Sequence, residues 1–183
     1  MEDENNQFES QRDLFALIGL TLVELQGVEK LLKACYVFVL RDANGNPLED
    51  LRDRTKRNRT LGQFLNALRQ KSSIDPTFDE VLSNFLEHRN RFVHDLLSQK
   101  HAPLETKLGR YHLEVFVNLL RTEMDTVSKA LMGFLMVWME PEKYADLTKV
   151  RVAFPEGSWL GDAEQIFAPH VAKLVQPRRK PSN

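Results

Sequence analysis

Residues 78–97 form the stretch that most restricts how this chain folds, because they read as one amphipathic helix with a charge in its apolar stripe. An α-helix turns roughly 100° per residue. On that wheel, one narrow sector contains the apolar residues Phe78, Leu82, Phe85, Phe92 and Leu96. Arg89 falls in the same sector. A core-facing arginine is costly unless its charge is paired or reaches a polar pocket. Arg89 is therefore the first candidate for a functional residue.

Further helices are predicted on both sides of this central one. Apolar residues recur at steps of three or four from residue 8 to about residue 40 and from residue 104 to about residue 139. A shorter helix follows Thr60, and Asp75 or Thr77 is expected to cap the central helix. The apolar stripe of the last long helix is predicted to be Leu108, Tyr111, Val115, Leu119, Val127, Leu131, Phe134 and Trp138. Two long helices that bracket a shorter pair predict an all-α, up-and-down bundle of about four to five helices.

The two ends of the chain differ from this bundle. Residues 1–7 are acidic and polar and are predicted to be a disordered tip, and the bundle is expected to cover residues 8–145. Residues 146–183 read as a less regular C-terminal appendage that ends in a basic tail. We expect the appendage to pack back on the bundle through Phe154, Trp159 and Phe167, or to cover a dimer interface.

Composition restricts the partners and the compartment. The formal net charge of −1 creates no global field for nucleic acid or membrane, so any such binding needs a local patch. No apolar run approaches the roughly 20 residues of a membrane span, and no membrane partner is expected. The single cysteine, Cys35, lies in an apolar segment and is predicted to be a buried, inert side chain in a cytoplasmic protein. Neither the histidine spacing nor any glycine-rich loop predicts a metal or a cofactor.

The central helix also contains a motif, Arg89-Asn90-x-x-x-His94. In this motif, and in the helix–break–helix pattern before it, the chain resembles the HEPN superfamily, which consists of small helical-bundle proteins of toxin–antitoxin and antiviral defence systems. The resemblance covers roughly residues 8–140. It implies a metal-independent endoribonuclease, a toxin or defence effector, with RNA as its substrate and an antitoxin protein as a further partner.

The chemistry of RNA cleavage fits the residue types of the motif. The 2′-hydroxyl attacks the neighbouring phosphate, which requires a group that moves protons near neutral pH and a cation for the developing charge. The resemblance assigns these roles to His94 and Arg89, and implies a 2′,3′-cyclic phosphate product. Asn90 lies four residues before His94 on the same helix face, where it is expected to orient the imidazole.

The spacing of the motif also predicts a homodimer. Five residues along a helix correspond to a rotation of roughly 140°, so Arg89 and His94 of one chain do not easily converge. The resemblance implies that two motifs line one cleft between two copies of the chain.

Several alternatives stay open. Lys56, Arg57 and Arg59 are either phosphate contacts or part of a solvated segment, and Arg91 is either a phosphate contact or a solvent-facing base. The whole chain is either a nuclease or a non-catalytic HEPN-like module that binds nucleotide, RNA or a partner protein. In a purely structural role, Arg89 would pair with a carboxylate of another helix and His94 would lie at the surface.

Overall fold

The computed structural model describes residues 2–39, 61–96, 104–140 and 153–177. Four helices make up the body of this part: α1 (Glu2–Val39), α2 (Leu61–Lys71), α3 (Pro76–His94) and α4 (Lys107–Met139). Helix α1 begins at Glu2 and so includes residues 2–7, for which a disordered tip is predicted. The predicted all-α bundle is confirmed.

The C-terminal segment is more regular than expected. It contains α5 (Trp159–Asp162), a π-helical turn (Ala163–Phe167) and α6 (Ala168–Leu174), which follow one another without a break. A pair of three-residue strands, β1 (Ser72–Ile74) and β2 (Val175–Pro177), is antiparallel, with Ser73 opposite Gln176. This pair ties the end of the described chain to the break between α2 and α3.

Side-chain caps explain where α3 and α4 begin. The carboxylate of Asp75 accepts hydrogen bonds from the backbone N–H groups of Thr77 (2.9 Å) and Phe78 (3.3 Å), and Pro76 occupies the first turn. The Thr106 hydroxyl accepts from the Gly109 N–H at 3.0 Å. Of the two caps predicted for α3, Asp75 is therefore the one used.

Contacts between helices give the directions of the bundle. Glu24 of α1 meets Arg121 of α4, and Cys35 meets Leu131 further along both helices, so α1 and α4 run parallel. Helix α3 runs antiparallel to α4, because Phe78 packs near Phe134 whereas Arg91, near its other end, lies over Phe116.

The core lies between α1, α3 and α4. Phe78, Leu82, Phe85 and Phe92 of α3 are buried, as predicted. The predicted stripe of α4 is right for Val127, Leu131 and Phe134, which are buried, and wrong in its first half. The side chain of Trp138, the last residue of that stripe, lies outside the described part of the structure. The buried face of the first half is Leu113, Val117, Leu120 and Met124. The predicted residues Leu108, Tyr111, Val115 and Leu119 are instead 47–64% exposed. This half of α4 is apolar on two faces, and the helical period does not indicate which of them meets the core.

The C-terminal segment packs on α4. Ala163, Ala168 and Val171 are buried and Phe167 packs against the core. Trp159 is 39% exposed, but its indole N–H donates to the Asp125 carboxylate of α4 at 3.0 Å, so the contacts predicted for Phe167 and Trp159 are confirmed. Phe154 is 37% exposed. The buried carboxylate of Glu164 accepts from the backbone N–H groups of Ala153 (2.8 Å) and Phe154 (3.0 Å). None of the helices in the described ranges is both long enough and apolar enough to cross a membrane.

Candidate active site

Arg89 has an ion-pair partner on another helix. Its Nη2 lies 2.5 Å and its Nε 3.2 Å from Oε1 of Glu29 on α1, and the Arg89 side chain is 20% exposed. The charge on the apolar stripe is therefore compensated by a carboxylate sixty residues away in sequence. This geometry is the one expected for a structural arginine, and it also holds the guanidinium in one orientation.

Asn90 contacts Arg89. Its Oδ1 accepts a hydrogen bond from Arg89 Nη1 at 3.1 Å, and its side chain is exposed. Within the described residues no hydrogen bond joins Asn90 to His94, so the predicted role of Asn90 in orienting the imidazole is not seen. Asn90 instead links the half-buried guanidinium of Arg89 to the exposed face of α3.

His94 is the last residue of α3, and its side chain is exposed. Within the described residues its imidazole has no hydrogen-bond or ion-pair partner, and no hydrogen bond joins it to Arg89. Its ring nitrogens are therefore open to solvent or to a ligand. Arg89 bonds to Glu29 and Asn90 and not to His94 among the described residues.

Arg91 stacks on an aromatic ring of α4. Its guanidinium carbon lies 4.8 Å from the centre of the Phe116 ring, and its side chain is exposed. This distance is within cation–π range. The structure therefore places Arg91 at the junction of α3 and α4, on the surface of the molecule. Lys56, Arg57 and Arg59, the other predicted nucleic-acid contacts, lie outside the described residues.

His88 forms a second polar contact between α3 and α4. Its Nδ1 lies 2.9 Å from both carboxylate oxygens of Glu123, and its ring meets Phe116 edge-on at 5.9 Å. The sequence contains no signal for this pair, because the partners are on different helices and neither stands out from its neighbours.

A groove between α1 and α4 is a further feature without a sequence signal. It encloses about 520 Å³, with Val28, Leu31 and Met124 among the apolar residues that line it. At its edge Arg121 forms two hydrogen bonds with Glu24, at 2.8 and 2.9 Å, and this bonding raises the pKa of Arg121. The groove lies on the side of α1 that meets α4, whereas the Arg89–Glu29 pair lies where α1 meets α3.

Among the described residues, no group of three or more His, Cys, Asp or Glu side chains is arranged to hold a metal ion. Comparisons with protein-family models, with curated proteins and with solved structures found no match to this chain. The geometry of α3 and its neighbours is therefore the basis for assigning a function.

Proposed function

We propose that this protein is a HEPN-type, metal-independent endoribonuclease of the cytoplasm, a toxin or defence effector that cleaves RNA to a 2′,3′-cyclic phosphate at a composite site of a homodimer. The observation that carries the proposal is the arrangement on α3. The Arg89–Asn90 pair, held by Glu29, is followed about one turn later by the solvent-open His94.

Arg89 keeps donors for a phosphate in spite of its partners. A guanidinium has five N–H donors. Its bonds to Glu29 use one on Nε and one on Nη2, and the bond to Asn90 uses one on Nη1. One N–H on each Nη nitrogen is left. In the proposed reaction these donors stabilise the charge that develops on the phosphate, and His94 moves the proton.

A second copy would complete the site. Asn90 and His94 are four residues apart and share the exposed face of α3. If two such faces meet across a twofold axis, the His94 of each copy approaches the Arg89–Asn90 pair of the other. The exposed residues Leu108, Tyr111, Val115 and Leu119 of α4 offer adjoining apolar surface that a second copy would bury.

The second candidate function is a non-catalytic module that binds nucleotide, RNA or a partner protein such as an antitoxin. The ion pair between Arg89 and Glu29 favours it, because the pair neutralises much of the charge that a catalytic arginine would offer to phosphate.

Cleavage of RNA in EDTA distinguishes the two candidates. The wild type should cleave and leave a 2′,3′-cyclic phosphate end, and Arg89→Ala and His94→Ala should each lower the rate by about 100-fold or more. Arg121→Ala is the matched control for Arg89, because Arg121 pairs with Glu24 of α1 in the same way. His170→Ala removes another exposed histidine. Equal cleavage by all variants would contradict the proposal, and tight RNA binding without cleavage would support the non-catalytic module.

Mixing the two inactive variants tests the composite site. The wild type should sediment with twice the mass of one chain. A mixture of Arg89→Ala and His94→Ala should regain activity, because the mixed dimer has one site with an intact arginine and an intact histidine. Failure of dimeric variants to regain activity on mixing would show that each site lies within one chain.

A further inference from the structure

Arg110, in the first turn of α4, is a buried cation with a single hydrogen-bond partner among the described residues. The residue is 5% exposed. Its Nη1 donates to the backbone carbonyl of Leu104 at 2.8 Å, and its buried Nε has no hydrogen-bond acceptor among the described residues. The exposed carboxylate of Glu105, in the same turn of the chain, forms no ion pair with it.

Other arginines of the bundle form ion pairs with carboxylates. Arg69, Arg89 and Arg121 bond to the carboxylates of Asp79, Glu29 and Glu24, respectively. Their side chains are 20–34% exposed, so water already solvates part of each charge. Arg110 is more deeply buried, and its one hydrogen-bond acceptor among the described residues is the Leu104 carbonyl. A buried charge is normally paired, since desolvation without compensation is unfavourable. This contrast indicates that the charge of Arg110 is compensated by an anionic ligand.

The surroundings of Arg110 favour an anion as well. Leu104 precedes the Thr106 cap, so the bond to its carbonyl turns the guanidinium back towards the N-terminal end of α4. First-turn N–H groups of a helix have no acceptor within it. Thr106 accepts from that of Gly109, whereas the N–H of Leu108 has no acceptor among the described residues. The partial positive charge of a helix N-terminus adds to that of the guanidinium.

This end of α4 lies close to the end of α3 that carries His94. The two helices are antiparallel, and Arg91 lies over Phe116. Three residues towards the C-terminus of α3 from Arg91, and three towards the N-terminus of α4 from Phe116, His94 is level with Leu113. Arg110 is three residues beyond that point, or roughly 5 Å along the helix axis at 1.5 Å per residue. Measured along the helix axes, Arg110 is thus offset from His94 by roughly one helical turn.

We propose that the N-terminal end of α4 binds a phosphate group through the guanidinium of Arg110 and the backbone N–H of Leu108, and that the phosphate belongs to the RNA backbone beside the cleaved bond. The RNA part of this assignment rests on the proposed function. Phosphate binding itself does not, because it follows from the burial and missing partners of Arg110.

Thermal unfolding in phosphate and in chloride, at equal ionic strength, tests the site. At a tenfold excess over the dissociation constant, phosphate should raise the Tm of the wild type by about 3 to 5 °C relative to chloride. Arg110→Met should lose this shift, and the control Arg121→Met, which removes an arginine already paired with Glu24, should keep it. No shift in the wild type, or an equal shift in Arg110→Met, would overturn the proposal.

A measurement on the wild type covers the case in which Arg110→Met does not fold. Phosphate titrated into ¹⁵N-labelled protein should move the backbone amide signals of Leu108, Gly109 and Arg110 more than those of α2 or α6. Signals that move only elsewhere would place the anion outside this turn and overturn the proposal.

Three ligands distinguish the sources of the phosphate. A dinucleotide with an internal phosphodiester and no terminal phosphate should bind and displace inorganic phosphate if the site takes RNA backbone. Binding of inorganic phosphate and a nucleoside monophosphate, but not of the dinucleotide, would overturn the RNA assignment.

In RNA cleavage, Arg110→Met should raise KM about tenfold with little change in kcat. A wild type without cleavage but with the phosphate shift would refute the proposed function alone.

Discussion

Two arginines show how single residues depend on distant partners in this bundle. Arg89 lies on the core stripe of α3 and is compensated by Glu29, whereas Arg110 is buried at the start of α4 with a single carbonyl. In sequence, both are arginines next to other polar residues, Asn90 in one case and Tyr111-His112 in the other. The difference between them is a carboxylate on α1 that reaches one and not the other. In the two proposals above, Arg89 accordingly belongs to a preorganised site, and Arg110 to a site that takes its counter-charge from a ligand.

Cys35 should be unreactive in the folded protein. Its thiol is 1% exposed and donates to the Leu131 carbonyl at 3.4 Å, and burial raises its pKa from 9.0 to about 12. Three pKa units lower the thiolate fraction about a thousandfold, so alkylation by iodoacetamide at pH 8 should be slower by at least that factor than in the urea-unfolded chain. Equally rapid modification of folded and unfolded protein would contradict the burial.

The same group makes stability depend on pH. Because the folded pKa lies above the unfolded one, the stabilising effect of the neutral thiol is complete below pH 9 and is lost as pH rises towards 12. Tm should therefore fall less steeply between pH 8 and 10 in Cys35→Ala than in the wild type. The two proteins are compared by the slope of Tm against pH and not by Tm itself, since the substitution also changes packing.

At the scale of elements, one glycine of α4 allows a close approach between helices. A Cβ added at Gly133 would lie 2.8 Å from the backbone nitrogen of Ala168 and 3.0 Å from the carbonyl carbon of Phe167. Backbone atoms cannot rotate away as a side chain can. Gly133 is thus the reason that the π-helical turn and α6 can lie directly on α4.

Gly133→Ala should destabilise the fold by about 1 to 3 kcal/mol, since the C-terminal segment must move away from α4. Gly19→Ala is the matched control, because a Cβ at that exposed position of α1 meets nothing within 4 Å. It should stabilise the protein by about 0.5 to 1 kcal/mol through the higher helix propensity of alanine. Urea unfolding of both variants measures the two effects. Equal changes in the two variants would contradict the close approach.

At the scale of the whole molecule, the C-terminal segment and the bundle belong to one folded unit. Val171 is part of the core, β2 pairs with β1, and Lys129 of α4 bonds to Asp162 at 3.1 Å. The buried Glu164 carboxylate holds residues 153 and 154 against this segment, because it accepts hydrogen bonds from their two backbone N–H groups. An appendage held by this many separate contacts is expected to unfold together with the helices on which it lies.

Glu164→Ala should therefore destabilise the entire protein, by about 2 to 4 kcal/mol, because two N–H groups lose a charged acceptor. Glu156→Ala, at an exposed position, should have little effect. Far-UV circular dichroism and the fluorescence of Trp159 in a Trp138→Phe background should report one coincident transition. A separate, earlier fluorescence transition would show that the segment unfolds independently.

Local patterns in the chain were enough to predict much of the architecture. The period of 3.6 residues locates α1, α3 and α4, the Asp75-Pro76 pair marks the start of α3, and the apolar setting of Cys35 indicates its burial. These features depend on residues within a few turns of one another. The functional roles of Arg89, Asn90 and His94 rest on the resemblance to the HEPN superfamily and stay a prediction.

The remaining features depend on residues that are far apart in sequence. The pairing of Arg89 with Glu29, the choice of the Leu113 face of α4 over the Leu108 face, and the contact of Gly133 with Ala168 all arise when helices pack. A helical period states which residues share a face, but not which face meets a partner. Whether a buried arginine finds a carboxylate is likewise a matter of distance between helices. That is why the structure, and not the motif, separates Arg89 from Arg110.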